Sequence, residues 1–446
     1  MNRKIRTICA ILAMGMLFSG CKLGWGNDRP DNRHRSDDPV VVSEPSVLQR
    51  DDKDIDRTGM NIADIDDATY DQATQNAYLD FAIDLYANCA SGTDSNMMVS
   101  PASVLFAMGM TSAGACGDTL DQMVSTMTPR QDALSMHAFA REYNRRLNTT
   151  DDISVHSANS IWLNGNWGGN VYSDFLDYCT ETYDAQISSV AFDGAGIAQM
   201  NEWVNDQTDG MIPSIISGDL DPDAVMVLIN AIAFEADWTV PYEDHMVSDG
   251  LFHNLNGSNS NVTMLHEEDG EIYYETDLAT GFARYYGEDQ EYYFLAMLPK
   301  DETISANEFA SSLTASDYNE FLASRTNDYT VISDIPEFES DYEIYLNDVL
   351  MEMGIVDAFM DDGTADFSNM CDRPVYISTV LQKTHIEVDR EGTSAAAATA
   401  VMVCEGTAMA PDYDNTRYVI LDRPFAYAIV ESSTGLPLFI GTVDSL

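Results

Sequence analysis

The feature that most restricts the fold is the stretch 225–234, apolar at every position except Asn230. A strand with one wet face alternates apolar and polar residues, so an unbroken apolar run of strand length needs cover on both faces. The chain must therefore set this strand inside a sheet with other elements packed above and below it.

The surrounding periodicities say what those elements are. Residues 70–88 carry Tyr78, Phe81, Ala82, Leu85 and Tyr86 at helical spacing, and residues 103–112 read as a buried, methionine-rich helix opened by Ser100-Pro101. Strand patterns follow at 292–298, 376–381, 386–388 and 425–430. Ser432-Ser433-Thr434-Gly435 then turns the chain into a last strand at 438–443, making a C-terminal hairpin. Helices dominate the first half and strands the second, so the class is α+β.

Ahead of the globular pattern, Arg3, Lys4 and Arg6, an apolar run over 7–18 and Ser19-Gly20 form an export signal. The run is shorter than the ~20 apolar residues of a spanning helix, so cleavage is expected. Leu17-Phe18-Ser19-Gly20-Cys21 resembles a bacterial lipobox, with Phe18 where Leu or Val is usual. That resemblance implies lipidation of Cys21 and, because Lys22 rather than Asp follows, an anchor in the outer membrane or at the cell surface. Residues 1–20 are thus assigned to a lipoprotein signal, 21–67 to a flexible acidic tether and 68–446 to one globular domain.

The charge narrows the partners. Against 22 basic residues stand 74 acidic ones, a net of −52, and loss of the three leader cations gives −52 − 3 = −55. Such a field repels nucleic acid and anionic lipid. The carboxylates are dispersed and only Lys300 and Lys383 follow Lys53, which fits a surface adapted to salt. Cys89, Cys116, Cys179, Cys371 and Cys404 lack paired spacing, so no disulfide scaffold is implied.

Enzyme motifs fail one by one. Asp219, Asp221 and Asp223 alternate like a calcium loop, but Ala224 replaces the turn glycine and Asn230 the bidentate Glu. His266-Glu267 begins a zinc helix that Gly270 ends. There is no GxSxG elbow and no GK[ST] phosphate loop. No catalytic site, metal site or cofactor is expected.

What the chain does carry is an ordered series of motifs from about residue 70 to the end. Asn96-Met97-Met98-Val99-Ser100-Pro101 is followed by Gly114-Ala115 and Thr119, then by Asn201-Glu202-Trp203-Val204 with Thr208, Gly210 and Ile212. Leu228-Ile229-Asn230-Ala231 leads to Phe234, Trp238, Pro241 and Tyr242. Pro336-Glu337-Phe338, Met353-Gly354-Ile355, Ala365-Asp366-Phe367-Ser368, Ile386-Glu387-Val388, Glu391-Gly392-Thr393 and Asp422-Arg423-Pro424-Phe425 complete it. This succession resembles the serpin family. The resemblance implies helices packed around three β-sheets, a monomer, and an exposed reactive-centre loop at about 390–416.

It also implies a mechanism: extracellular serine or cysteine proteases cleave the loop and are trapped as acyl-enzymes when its root inserts into the central sheet. The root, Glu391, Gly392, Thr393, Ser394, Ala395, Ala396, Ala397, Ala398 and Thr399, is compatible with that. From Thr393 to Ala400 no residue is charged, bulky or proline, and alternate residues would face opposite sides of a strand. Family spacing places the cut between Gly406 and Thr407, with Ala408 or Met409 as alternatives. No Lys or Arg lies between Arg390 and Arg417, which favours elastase- or subtilisin-like proteases over trypsin-like ones.

Two positions depart from the family. Gln382 stands where a histidine usually bonds the equivalents of Ser100 and Asn230, and Arg390 stands where the loop root usually has Glu. A non-inhibitory serpin acting as a binding or carrier protein is the competing reading; the uncharged hinge speaks against it.

Overall fold

The computed structural model describes residues 11–14, 47–48, 65, 68–148, 154–208, 210–221, 224–268, 271–393 and 415–446. The apolar run falls in β7 (Met226–Asp237), in the middle of the largest sheet. Beside β7 on one flank lie β4 (Ser154–Asn164) and β6 (Ala185–Val190); on the other lie β15 (Ile377–Val388) and, at the edge, β14 (Phe338–Tyr345). Between β7 and β15 the position is shared by two short pieces, β1 (Ile11–Met14) and β16 (Gly392–Thr393), each antiparallel to both neighbours.

The two faces of β7 explain its composition. Leu228, Ile232 and Phe234 enter the main core. Val227, Ile229 and Ala231 pack with Ile197, Met200 and Val204 of the helix Gly194–Gln207, which covers the opposite face. Each of these side chains larger than alanine contributes about 1.5–3 kcal/mol by leaving water, and a charge at either Leu228 or Ile229 would be buried whichever face it entered.

Behind the sheet, the helix Pro101–Ser112 is buried along its whole length, so it is apolar all round rather than amphipathic. Ser100 caps it, its hydroxyl accepting from the Ser103 amide at 3.3 Å, and Pro101 opens the first turn. The helices Gln72–Ala90 and Ala133–Leu147 start on Asp71 and Asp132 caps in the same way.

A second sheet runs β10 (Ile272–Glu275), β11 (Ala279–Tyr285), β12 (Tyr292–Pro299), β18 (Phe425–Glu431), β19 (Pro437–Val443), β3 (Met97–Val99) and contains the expected C-terminal hairpin. A third holds β17 (Thr416–Ile420), β13 (Thr330–Pro336), β9 (Asn259–Glu268) and β8 (Val247–His253). The α+β class and the three large sheets follow the sequence reading. A two-stranded ribbon of β2 (Val47–Leu48) and β5 (Val171–Tyr172) is additional.

Within the 21–67 stretch assigned to a flexible acidic tether, the described residues touch the body. Val47–Leu48 pairs in parallel with Val171–Tyr172. Ile65 is 2% exposed, and the Arg141 guanidinium donates to its carbonyl at 3.2 Å.

Candidate functional site: the loop root and the slot beside it

β15 ends at Val388, and the chain reverses in three residues. The Asp389 carboxylate accepts from the amides of Glu391 at 2.8 Å and Gly392 at 3.0 Å, and the Asp389 amide donates to the Gly392 carbonyl at 3.0 Å. An Asp folded onto the amides that follow it is a turn-former. Gly392 then enters between β7 and β15, where an added Cβ would lie 2.1 Å from the Ala236 carbonyl oxygen. Only glycine fits there.

Three further bonds hold this turn. Trp238 donates its amide to the Glu391 carbonyl at 2.8 Å and its indole N–H to the Asp389 carbonyl at 2.9 Å. Tyr242 donates its amide to the Arg390 carbonyl at 2.9 Å. Trp238 is itself fixed by stacking on Tyr286, with ring centroids 4.5 Å apart and planes 12° from parallel. Arg390 pairs with Asp244 at 2.8 Å, so the loop root keeps an ion pair with the sign opposite to a Glu at this place.

Below β16 the slot between β7 and β15 narrows to a small apolar cavity, with Ile232 and Phe234 on one rim, His385 and Ile386 on the other, and Met98 and Phe439 among its remaining walls. Below the cavity β1 fills the slot, Ile11 lying opposite both Ile229 and Leu381.

The structure separates the residues expected to form one sheet-opening network. Gln382 accepts from the Ser100 amide at 3.0 Å and donates to the Ser100 carbonyl at 2.9 Å. The Ser100 hydroxyl turns to the Leu438 carbonyl at 2.9 Å. Asn230 takes no part: its Nδ2 donates to Asn159 Oδ1 at 3.0 Å across the β4–β7 ladder, while its buried Oδ1 accepts no hydrogen bond. The slot keeps Asn230 and Gln382 apart, which is the physical reason for the correction.

Asn159, which the sequence did not single out, extends the β7 side inward. It donates to the Tyr183 carbonyl at 2.8 Å. The Tyr183 hydroxyl meets His137 Nδ1 at 2.5 Å, and His137 Nε2 lies 3.4 Å from the Ser112 hydroxyl. Burial drives the His137 imidazole down to about 3, so it is neutral.

Cross-strand pairing also gathers Glu339, Asp341 and His385, with one ligand atom from each within 4.8 Å of the others. The 2.9 Å ion pair of His385 with Asp341 accounts for that grouping. Cys21, the hinge residues Ser394, Ala395, Ala396, Ala397, Ala398 and Thr399, Cys404, and the candidate cut-site residues Gly406, Thr407, Ala408 and Met409 lie outside the described residues.

The described residues form a helix-clad three-sheet protein whose chain turns from one central strand into the gap beside the next. The profile of the serpin (serine protease inhibitor) family matches residues 76–446, and the chain belongs to that family. An uncharacterized serpin-like protein of Methanosarcina mazei is 27% identical over 99% of this chain and 98% of its own. Plasminogen activator inhibitor 1 of Neovison vison is 27% identical over 84% of this chain and 94% of its own. Of solved structures, the thermophilic serpin tengpin in its native state matches with a TM-score of 0.77 at 33% identity, covering 87% of this chain and 99% of tengpin. Serpins are generally protease inhibitors rather than enzymes.

Proposed function

We propose that the chain is a suicide inhibitor of extracellular serine or cysteine proteases, elastase- or subtilisin-like, and traps the acyl-enzyme by inserting its cleaved loop between β7 and β15. The register of the slot carries this reading. Thr393 is paired with Ala236 and with Val388. Counting on antiparallel from there, an inserted Ser394 would meet Glu235 and Glu387, Thr399 would meet Asn230 and Gln382, and Ala400 would meet Ile229 and Leu381. Those last two residues are the pair that Ile11 of β1 occupies. The upper and lower parts of the slot therefore share one register, and once residues 11–14 leave with the expected leader a single strand could run from Gly392 through both.

The faces agree as well. Thr393, Ala395, Ala397 and Thr399 fall opposite Ala236, Phe234, Ile232 and Asn230, on the side of the main core; Ser394, Ala396 and Ala398 fall on the other. Small uncharged residues suit both, whereas a charge would cost several kcal/mol and proline a ladder bond.

The cut falls after Gly406, with Thr407, Ala408 and Met409 as neighbouring sites. Lipidation of Cys21 would hold the inhibitor at the cell envelope; Cys21→Ser should release it to the medium.

The test mixes the mature chain with elastase-, subtilisin- and papain-like proteases. A denaturant-resistant complex and a released peptide beginning at Thr407 are expected. Thr393→Arg should convert the inhibitor into a substrate, with complex yield down at least about a hundredfold from the buried charge. Loop cleavage without complex for every protease would remove this reading and leave a binding or carrier role.

A further inference from the structure

The loop root rests on a buried charge cluster with one carboxylate too many. Arg284 on β11 has a side chain 6% exposed, and its Nη1 is shared between Glu267 Oε2 on β9 and Glu271 Oε1, each 3.2 Å away. Its Nη2 donates to the Val240 carbonyl. Charge-assisted bonds are normally about 2.7–2.9 Å, so Nη1, with one N–H for each carboxylate, makes two long bonds. The Glu271 side chain is 0% exposed. Its Oε2 meets no partner at full hydrogen-bond geometry, and the buried Ser333 hydroxyl on β13 lies near enough to pull the Glu271 carboxyl down without completing a bond of its own.

The cluster touches the turn through aromatic rings. The Arg284 guanidinium lies 3.8 Å from the centre of the Tyr242 ring and 5.4 Å from that of Trp238. These are the residues whose N–H groups hold the carbonyls of Asp389, Arg390 and Glu391.

We propose that a proton on Glu271 sets how firmly Arg284, as a positioning residue, braces the loop root; this rests on the root being the insertion hinge. With Glu271 neutral, Arg284 and Glu267 form a one-to-one pair, the cluster has no net charge, and the new O–H can donate to Ser333. With Glu271 ionised, one negative charge is left in a dry site, a state that proteins relieve by protonation.

Burial raises the Glu271 carboxyl to about 7, against the opposing pull of Arg284 and Ser333 and with help from Glu267. The folded value lies above the ordinary one, so bracing is complete at low pH and is lost as pH rises through about 7. Other groups in the neighbourhood are the Tyr242 phenol, Asp334 and His266. Burial holds Tyr242 well above its ordinary value. Burial lowers the His266 imidazole while Asp334, 2.6 Å away, and Glu268 raise it, for a net rise. His266 therefore needs its own control.

Amide hydrogen exchange of the segment 238–242, corrected for the intrinsic rate, reads the brace directly. If the open form exposes Glu271 to water, protection in the wild-type chain should fall about tenfold between about pH 6 and about pH 8. It should be flat in Glu271→Gln and still fall in His266→Gln. Glu267→Gln, which returns Arg284 to a single carboxylate, should move the step to lower pH. A wild-type protection that does not change, or an equal fall in Glu271→Gln, overturns the proposal. No protease enters this measurement, so failure to inhibit any protease would remove the functional reading and leave this one to stand or fall alone.

Discussion

The two rims of the slot are built differently. On the β15 rim, Gln382 is bonded twice to the Ser100 backbone, and the Thr384 hydroxyl donates to the Met98 carbonyl at 2.9 Å. On the β7 rim, Asn230 donates to the Asn159 side chain at 3.0 Å and more distantly to the Ser157 hydroxyl and the Ala158 carbonyl, each at 3.5 Å, and its Oδ1 stays unpaired. The β15 rim is thus fastened to the helix and strand behind it and is complete. The β7 rim is one hydrogen bond short at Asn230; the proposed insertion would bring the Thr399 hydroxyl there as a donor. The rim that is finished holds the sheet to the body, and under the proposed insertion the unfinished one would gain a partner.

Acid should separate the rims most strongly. The Gln382 and Thr384 bonds contain no titratable group, because Gln382 stands where histidine is usual; the His385–Asp341 ion pair on the same strand lies outside them. The β7 chain ends on His137, lowered from 6.5 to about 3 by burial. A base with a depressed folded value contributes stability that is present above 6.5 and lost as pH falls from there toward 3. At about 1.4 kcal/mol per pH unit, that is at most about 5 kcal/mol. His137→Gln keeps hydrogen-bonding groups without the titration, so its denaturant midpoint should fall less steeply over this window. Equal slopes in both proteins would show that His137 does not govern the β7 side.

Next in size is the contrast between Gln382→Leu and Asn230→Leu. The first leaves the buried N–H of Ser100 without its partner, while the Ser100 carbonyl keeps the Val104 amide at 3.3 Å, so a loss of about 1–3 kcal/mol is expected in urea unfolding. The second removes a carboxamide that is already half-satisfied and should cost about 1 kcal/mol. Equal losses would mean the rims are not unlike in energy, whatever their geometry.

How much of this was legible in the sequence depends on the distance over which each signal acts. The two-faced burial of β7 is written in its own ten residues, and Gly392 is marked by the small-residue run that follows it. The Asp389 turn had a local signal, an Asp three residues before a Gly, that motif matching passed over. Asn159 had none: it bonds Asn230, 71 positions away, only because β4 and β7 pair. Glu271 and Arg284 look like any carboxylate and guanidinium until the fold buries them. Val47–Leu48 and Ile65 are too short as apolar signals to stand out from their polar surroundings.

The smallest effect concerns Arg390, the departure that looked most consequential in sequence. A Glu-to-Arg reversal at a loop root would matter if its partner were buried, because an uncompensated buried charge is costly. The partner is Asp244, whose side chain is 99% exposed, while that of Arg390 is 36% exposed. An ion pair in that setting is screened and contributes little. The turn is held instead by backbone carbonyls of residues 389–391 bonded to Trp238 and Tyr242, and no side chain at 390 is needed for them. Arg390→Ala should therefore leave the unfolding midpoint unchanged and alter the rate of protease trapping by less than about twofold. Trp238→Phe, which deletes the indole donor to Asp389, should alter both. If Arg390→Ala proved the more damaging of the two, the side-chain pair rather than the backbone clasp would be what fixes the loop root.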